Sequence, residues 1–565
     1  MNKLALPIGV DDYKKMHEKN YYYVDKTLLI KELLDIMGEV NVFMRPRRFG
    51  KSLNLSMLKY FFEKTKEDNS VLFRDKKIWK CGEKYTAQQG KFPVIQISLK
   101  GTKTDNWTEM QESIRDIVCE EYLRHDYLLD SERLNKTEKK FFEIITDIER
   151  KFDNSLYKTS IKKLSKYLSK YYEEKAILLI DEYDVPLQTA YTNGFYKEAV
   201  NFISSFFQES MKDTGQSIEF AVITGCLRIS RESIFTGFNN PKMISILSDS
   251  YAEHFGFEDH EVREILKYYN LENKIESVEQ WYDGYKFGQT GILNPWSILN
   301  YVDELRANPN KLPKSYWANT SGNDIVRKLI SKLSSNSKDK ANEELIILMN
   351  GGTIKKELDL NIIYKDLDTK IDNIWNILFF TGYLTQDKVV REGRKDYYYL
   401  KIPNEEVKYI FETMISSWFE EFMQRKSFDK LYSAVLASDE RTMTDEITEV
   451  LMNAISYHDY DETFYHGVMI GIFESMSGYD LKSNRESGKG RSDIILSPMV
   501  STKPAIIMEL KIAEKYNEVE KQCKKALKQI EEMKYDYDLR KDGYQNILKY
   551  GITFMGKECL VLTKE

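Results

Sequence analysis

Cysteine is scarce in this chain. Its five residues, Cys81, Cys119, Cys226, Cys523 and Cys559 in a length of 565, are scattered without metal-ligand pairing, and they read as reduced thiols of a cytoplasmic protein. Long apolar runs are lacking too. No stretch approaches the ~20 residues of a membrane-spanning helix, and the opening Met1–Gly9 has no apolar core of signal-peptide length. A soluble cytoplasmic protein without membrane contact is expected. Positive charge is not in excess either. Lys and Arg number 83 against 89 Asp and Glu, a net charge of −6, which excludes a global basic footprint and restricts nucleic-acid contact to local patches.

What the chain has is length and apolar content. Its 565 residues point to three or four domains, and 42% hydrophobic residues suffice for real cores. The most informative stretch is Val40–Ser52. An apolar run, Val40–Met44, breaks into the basic loop Arg45-Pro46-Arg47-Arg48-Phe49 and closes with Gly50-Lys51-Ser52 at the mouth of a helical pattern over about 51–62. That is the layout of a phosphate-binding loop. Backbone N–H groups and the helix N-terminus face the phosphates, Lys51 adds a point charge, and the Ser52 hydroxyl ligates Mg²⁺. Arg48, Phe49, Gly50, Lys51 and Ser52 are the nucleotide contacts it nominates. The full pattern carries glycine where Arg45 stands. Upstream, Asp25 is placed to cap a helix beginning near Leu28.

A second stretch supports the first. Ile177–Ile180 deliver Asp181 and Glu182 to the end of a buried parallel strand, the edge at which open α/β sheets bind ligands. Asp181 would hold Mg²⁺, directly or through water, and Glu182 would orient or deprotonate the attacking water. The strand 219–225 carries Thr224, a polar sensor for the γ-phosphate, followed by Arg228 and Arg231 as cations for developing charge. A strand-end threonine and surface arginines are the plainer reading of the same residues. Residues 100–170, charged and helix-periodic, read as a helical insertion with solvated faces. Trp281–Tyr285 and Asn294–Ser297 form an aromatic junction that reads as an inter-domain packing seam and not as a base-stacking platform.

From about 440 the composition turns to alternating strands. A helix opens at Glu462–Gly467 and runs through Ile470, Phe473 and Met476. A strand starts at Gly478–Leu481, a turn spans Asn484–Gly490, and strands follow at Arg491–Leu496 and Ala505–Lys511. Alternation puts Glu509 and Lys511 on one face. Metal-dependent phosphodiester hydrolysis needs two carboxylates converging on Mg²⁺ and a cation to position or activate water. Asp493, Glu509 and Lys511 supply that set on adjacent strands, with a surface ion pair of Glu509 and Lys511 as the plainer alternative. A helix through Ala526, Gln529 and Ile530 and strands at 550–554 and 558–562 complete the order. Arg485 and Lys489 sit where they would touch phosphate. Glu474 is a candidate third carboxylate, facing inward with Ile470 and Phe473, and His466 packs or caps near its helix start.

Lys26-Thr27, Arg45–Ser52, Ile180–Asp184, Phe235–Asn240, Trp281–Tyr285 and Asn294–Ser297 together resemble the bacterial AAA-ATPase-like family. The resemblance covers nearly the whole chain, is weakest over 100–170, and implies an ATPase followed by a PD-(D/E)XK nuclease-like domain. Arg45 in place of the loop glycine then looks like a family trait. In the nuclease core Ser492 replaces the proline of the pattern, and Gln529 matches a further position often seen in it. The expected fold class is α/β: a P-loop NTPase core with a parallel sheet over 1–290, a helical and winged-helix-like middle region over 291–440, and a restriction-endonuclease-like α/β domain over 441–565. The implied function is ATP binding and hydrolysis coupled to a Mg²⁺-dependent nuclease acting on DNA or RNA, with ATP and Mg²⁺ as cofactors and a homo-oligomer as a further expectation. The alternative is a nucleotide-switched binding or signalling module with a catalytically inactive nuclease fold, in defence or mobile-element biology.

Overall fold

The computed structural model describes residues 3–211, 216–227, 241–317, 340–359, 372–414, 426–453, 462–487, 490–500 and 502–564. The chain divides into two compact units, Met1–Ile325 with Thr353–Tyr409, and Val326–Gly352 with Ile410–Glu565. The middle region expected over 291–440 is shared between them and does not stand as a third. Among the described residues no helix is long and apolar enough to cross a membrane.

In the first unit, β1 (Val40–Met44) is buried at all five positions and leads through a loop into α1 (Lys51–Phe62). The following elements are β2 (Val94–Ser98), α2 (Trp107–Leu123), α3 (Ser160–Tyr172), β3 (Ala176–Asp181), β4 (Ile218–Gly225) and β5 (Lys242–Ile244). The strands make one parallel sheet in the order β2-β3-β4-β1-β5. Every residue of β3 is buried, including Asp181. Ile177 to Ile180 each gain about 2 kcal/mol from leaving water, which offsets the cost of drawing a carboxylate to the strand end. Pairing of Phe43 with Thr224 and of Ile180 with Ile223 brings the carboxyl ends of β1, β4 and β3 to one edge.

Residues 100–170 are largely helical, yet α2 and α3 do not stand off in solvent. Their rows Ile114, Val118, Tyr122 and Ile161, Leu164, Leu168 are buried, and α2 touches β2 while α3 touches β3. Asp25 does not cap the helix Leu28–Ile36. Its carboxylate accepts from the Thr27 N–H and hydroxyl, and from the Lys77 N–H, because Thr27 is already helical and holds the cap position. Farther on come α4 (Pro295–Ala307), β6 (Ile354–Lys356), α5 (Asp372–Phe380), β7 (Thr385–Glu392) and β8 (Lys395–Lys401). The last three strands form an antiparallel sheet ordered β6-β8-β7, followed by a helix over 405–414.

The second unit contains α6 (Asp429–Ala437), α7 (Glu440–Asn453) and α8 (Glu462–Glu474), then β9 (Tyr479–Ser487), β10 (Gly490–Pro498), β11 (Ala505–Ile512), α9 (Val519–Glu532), β12 (Ile547–Met555) and β13 (Glu558–Thr563). The sheet runs β9-β10-β11-β12-β13, with β11 and β12 parallel and the other neighbours antiparallel. β9 continues through Ser487 and β10 begins at Gly490, so the turn expected over 484–490 is strand at both ends, and residues 488–489 lie outside the described residues. The sheet is apolar on both faces. Ile494, Leu496, Ile506, Met508 and Leu510 pack with α6, α7 and α8, whereas Ile495, Ala505 and Ile507 pack with Ile530 and Tyr535 on the other side. Residues 429–453 thus belong to this core and not to a separate lid.

Arg45, at the position where a loop glycine was expected, is fully buried. Its guanidinium donates to the carbonyls of Met44 (3.2 Å), Ile244 (3.3 Å) and Tyr251 (3.5 Å) and lies about 5 Å from the rings of Phe255 and Phe287. Burial lowers its pKa to about 9. The side chain ties the end of β1 to β5 and the segment beyond it. Arg45→Gly, although it restores the commoner loop residue, is therefore expected to destabilise the chain by about 3 kcal/mol, since charged donors are removed from buried carbonyls. A lowered urea midpoint at pH 7 checks this.

Candidate active sites

The loop between β1 and α1 turns on two left-handed residues, Arg48 (φ 70°) and Gly50 (φ 83°). Glycine adopts that region freely, whereas a non-glycine residue there costs on the order of 1 kcal/mol and is found where function requires it. Phe49 between them is wholly buried, with ring centroids 5.1 Å from Tyr285 and 5.2 Å from Phe287. Its side chain anchors the loop. Lys51 folds back over the same loop, its Nζ donating to the carbonyls of Arg45 (3.0 Å) and Pro46 (2.9 Å), with Cys226 Sγ at 3.5 Å.

The second half of the site comes from β3 and β4. Asp181 accepts from the Ser52 hydroxyl at 2.5 Å on one carboxylate oxygen and from the Thr224 hydroxyl on the other. Residues singled out on three separate segments thereby share one carboxylate. Glu182 holds φ 53° and borders the same cavity as Lys51 and Ser52. Burial, with Asp181 and Asp184 adding to it, keeps its carboxyl above the usual range. Asp184 Oδ2 accepts from the N–H groups of Cys226 (2.9 Å) and Leu227 (3.0 Å), which fixes the chain as it leaves β4. A Cβ on Gly225 would stand 2.5 Å from the Tyr183 ring, so β4 ends in glycine to let β3's exit pass. Arg228 and Arg231 lie outside the described residues.

The cavity at this edge measures about 290 Å³, near the lower end of small-molecule sites. Here the aromatic junction departs from the packing seam that was expected. Tyr285 does pack on Phe49, but Trp296 borders the cavity, with the Arg48 guanidinium 4.1 Å from its ring centroid. Asn294 caps α4 through the Trp296 N–H (2.9 Å) and Pro295 fills the first turn, so the helix begins where its indole reaches the loop. The indole N–H donates to Tyr316 O at 3.2 Å. Next in sequence, the Ser297 hydroxyl donates to Glu406 Oε2 at 2.7 Å, while Oε1 accepts from the N–H groups of Tyr316 (2.7 Å) and Trp317 (3.0 Å). Burial pushes Glu406 up to about 7.

In the second unit, alternation along β10 and β11 sends Asp493, Glu509 and Lys511 to the face that carries α9. Asp493 Oδ2 accepts from the Leu510 N–H at 2.8 Å, and Lys511 Nζ donates to Glu509 Oε1 at 2.9 Å. Glu509 is 1% exposed, and its Oε2 finds no hydrogen-bond donor among the described residues. Burial, and then the Asp493 charge, push its carboxyl up to about 7 against the opposing pull of Lys511. Gln529 donates to the Tyr535 hydroxyl at 3.2 Å, and that phenol feels the charges of Glu509, Asp493 and Lys511. His466 Nε2 donates to the Asp493 carbonyl oxygen at 3.0 Å; it supports the strand that carries the acid. Glu474 is exposed, because the buried stripe of α8 is Tyr465, Val468, Met469, Ile472 and Phe473. It is no third carboxylate. The Arg485 side chain and Lys489 lie outside the described residues. Tyr535 and the contact made by His466 escaped the sequence reading; no spacing rule links either to Asp493.

Residues 7–235 match the family model of a predicted AAA-ATPase, and residues 460–564 match that of the PD-(D/E)XK nuclease superfamily. The chain joins an AAA-ATPase-like domain to a PD-(D/E)XK domain. It is 24% identical to an uncharacterized protein in the vnfD 5′ region of Azotobacter chroococcum mcd 1, with 87% of each chain covered. Among solved structures it is similar to the Aeropyrum pernix ORC2 protein in ADPNP-ADP complexes, at 11% identity and a TM-score of 0.24 over 69% of this chain and 93% of that one.

The buried carboxyl of the PD-(D/E)XK domain makes stability depend on pH. Below its ordinary value of 4.5 the group is protonated folded or unfolded, and its contribution is fully present. As pH rises from there through about 7, ionisation in the interior removes it, a loss on the order of 3 kcal/mol. In metal-free buffer the unmodified chain is expected to lose stability over this interval relative to Glu509→Gln. Urea titrations of both at pH 5 and pH 8 measure the difference, which vanishes if the carboxyl is ordinary.

Proposed function

We propose that the AAA-ATPase-like domain binds and hydrolyses ATP, and that the PD-(D/E)XK domain is a metal-dependent phosphodiesterase acting on nucleic acid. The observation that carries the second half is Glu509. A buried carboxylate oxygen with no donor among the described residues, beside Asp493 and opposite Lys511, is the donor set a hard divalent cation takes. Asp493 and Glu509 would hold that ion. A bound Mg²⁺ supplies charge neutralisation at the scissile phosphate and a more acidic water. Lys511 holds Glu509 in place and offers its ammonium to the attacking water or to the phosphate. Gln529, through Tyr535, orients the group on which that charge falls.

In the ATPase domain, phosphates entering over Gly50-Lys51-Ser52 would compete with the loop carbonyls for the Lys51 ammonium. Ser52 and Asp181 would hold the cation, with Thr224 fixing the second oxygen of Asp181. Glu182, whose raised proton affinity suits a base, would orient the water. Arg48 is available to the phosphates from the loop itself, and Arg228 remains the nominee for a second cation.

The test is Mg²⁺-dependent cleavage of mixed single- and double-stranded DNA and RNA, alongside ATP hydrolysis, for the full chain and four variants. Lys51→Ala and Glu182→Gln are expected to lower hydrolysis by about 10²-fold or more, the latter with ATP binding kept. Asp493→Asn and Lys511→Ala are expected to lower cleavage by about 10²-fold with ATP binding unchanged. Intact ATP binding without cleavage of any substrate would replace the nuclease by a nucleotide-switched module. Neither binding nor cleavage would end both halves.

A further inference from the structure

Two arginines stand side by side in the phosphate loop, and the fold sends them to different places. Arg48, in the left-handed region, is exposed and lies over the Trp296 ring. Arg47 is half-buried and turns toward the exit of β3, where its guanidinium donates to Gln188 Oε1 at 3.0 Å. Gln188 sits on the helix Val185–Asn193, which follows the acid strand almost at once and is anchored by the buried Val185, Pro186, Leu187 and Ala190. The amide is thus mounted on a packed element. Being neutral, it fixes the plane of the guanidinium without cancelling the charge.

That charge lies with the groups nominated for hydrolysis. Cys226 Sγ is 3.5 Å from Lys51 Nζ and also bonds with the Arg47 guanidinium, so the two cations meet at one thiol beyond β4. The carboxylates of Glu182 and Asp184 are near enough to act on Arg47, and Arg47 acts in turn on Glu182. Arg47, Lys51 and Glu182 all border the cavity. Of the other cations at its border, Lys26 is held by Glu261 at 2.6 Å, and Lys100 faces Asp11 at 3.7 Å. Arg47 is the one mounted between the loop and the acid strand.

We propose that Arg47, rather than Arg228, neutralises the charge that develops as ATP is hydrolysed, and that it serves the site of its own chain. The inference rests on the ATP-hydrolysing reading of the AAA-ATPase-like domain and adds that no arginine from a second copy is needed. Attack by water joins its oxygen to the γ-phosphorus while the bond to the β–γ bridging oxygen breaks. The electron pair of that bond leaves with ADP, and one proton of the water passes to Glu182. Negative charge therefore grows on the bridging oxygen only as the bond breaks. A planar guanidinium can reach that oxygen and a γ-oxygen together, and one already held by an amide needs no reorganisation at that moment. Gln188 is its positioning residue.

Steady-state hydrolysis in Mg²⁺ tests it, together with equilibrium affinity for ATP and for ADP with aluminium fluoride, which mimics the transferring phosphoryl group. Arg47→Ala is expected to lower kcat and affinity for the mimic by about 10²-fold or more, with ATP affinity kept within about threefold. Gln188→Ala, which keeps the arginine but loosens it, is expected to lower kcat by about 10-fold at unchanged ATP affinity. A loss of ATP affinity as large as the loss of kcat in both variants would make Arg47 a structural tie and overturn the assignment. Mixing Arg47→Ala chains with Glu182→Gln chains decides whose site is served. An arginine lent across an interface restores hydrolysis and overturns the proposal, whereas one used in its own chain leaves the mixture inactive. Arg47→Ala indistinguishable from an ATP-binding unmodified chain overturns the inference and leaves the nucleotide reading intact. No ATP binding by the unmodified chain removes both.

Discussion

An ion taken from water into a protein interior costs several kcal/mol unless hydrogen bonds replace its hydration. Asp181, at the end of a strand buried along its whole length, meets that demand with two hydroxyls, Ser52 and Thr224. These come from the helix after β1 and from β4, so the charge can be accommodated only once three segments have assembled in the right register. The strand order makes this possible: β4 lies between the loop strand and the acid strand and contributes its own polar end to the gap. The same edge then carries Lys51, Glu182 and the cavity. The arrangement of this candidate site thus follows the demand of satisfying one carboxylate.

Two further acids show how the surroundings of a buried charge separate architecture from chemistry. Burial pushes Glu406 and Glu509 alike up to about 7. Glu406 has both oxygens taken, by Ser297 on one side and by the backbone of Tyr316 and Trp317 on the other. It acts as a clasp across the start of α4. Glu509 has one oxygen on Lys511 and the other without a donor among the described residues. A shifted proton affinity alone would not tell them apart, whereas the accounting of partners does.

Much of this was legible in the sequence because local patterns settle it. The run Val40–Met44 followed by Gly50-Lys51-Ser52, and the fully apolar approach to Asp181, fix strand, loop and helix within the bounds found. Alternation in Ala505–Ile512 was enough to pair Glu509 with Lys511 on one face. Side chains whose role depends on distant segments were not legible. Arg45 looked like a departure from the loop pattern until its acceptors, Ile244 and Tyr251, came from some two hundred residues away. Trp296 read as seam because nothing local says that α4 begins beside the phosphate loop. Glu474 was placed inward with Ile470 and Phe473, but Ile470 is only half-buried, and the buried stripe runs through Val468, Met469, Ile472 and Phe473 and leaves Glu474 outside it.

The order in which the chain visits its two units has a consequence for how it is made. It leaves the first unit after 325, returns at 353, and leaves again after 409. A ribosome therefore releases most of the AAA-ATPase-like half long before the strands β6, β7 and β8 that complete it. Between the two it has already produced the helix Lys340–Met349, which belongs to the other half. Neither half is one continuous stretch, so neither is finished by simple domain-by-domain folding from the N-terminus. The nuclease-like core likewise draws on Leu431, Val435 and Ile447, upstream of the residues that carry its acids. No single cut in the chain separates the two units whole.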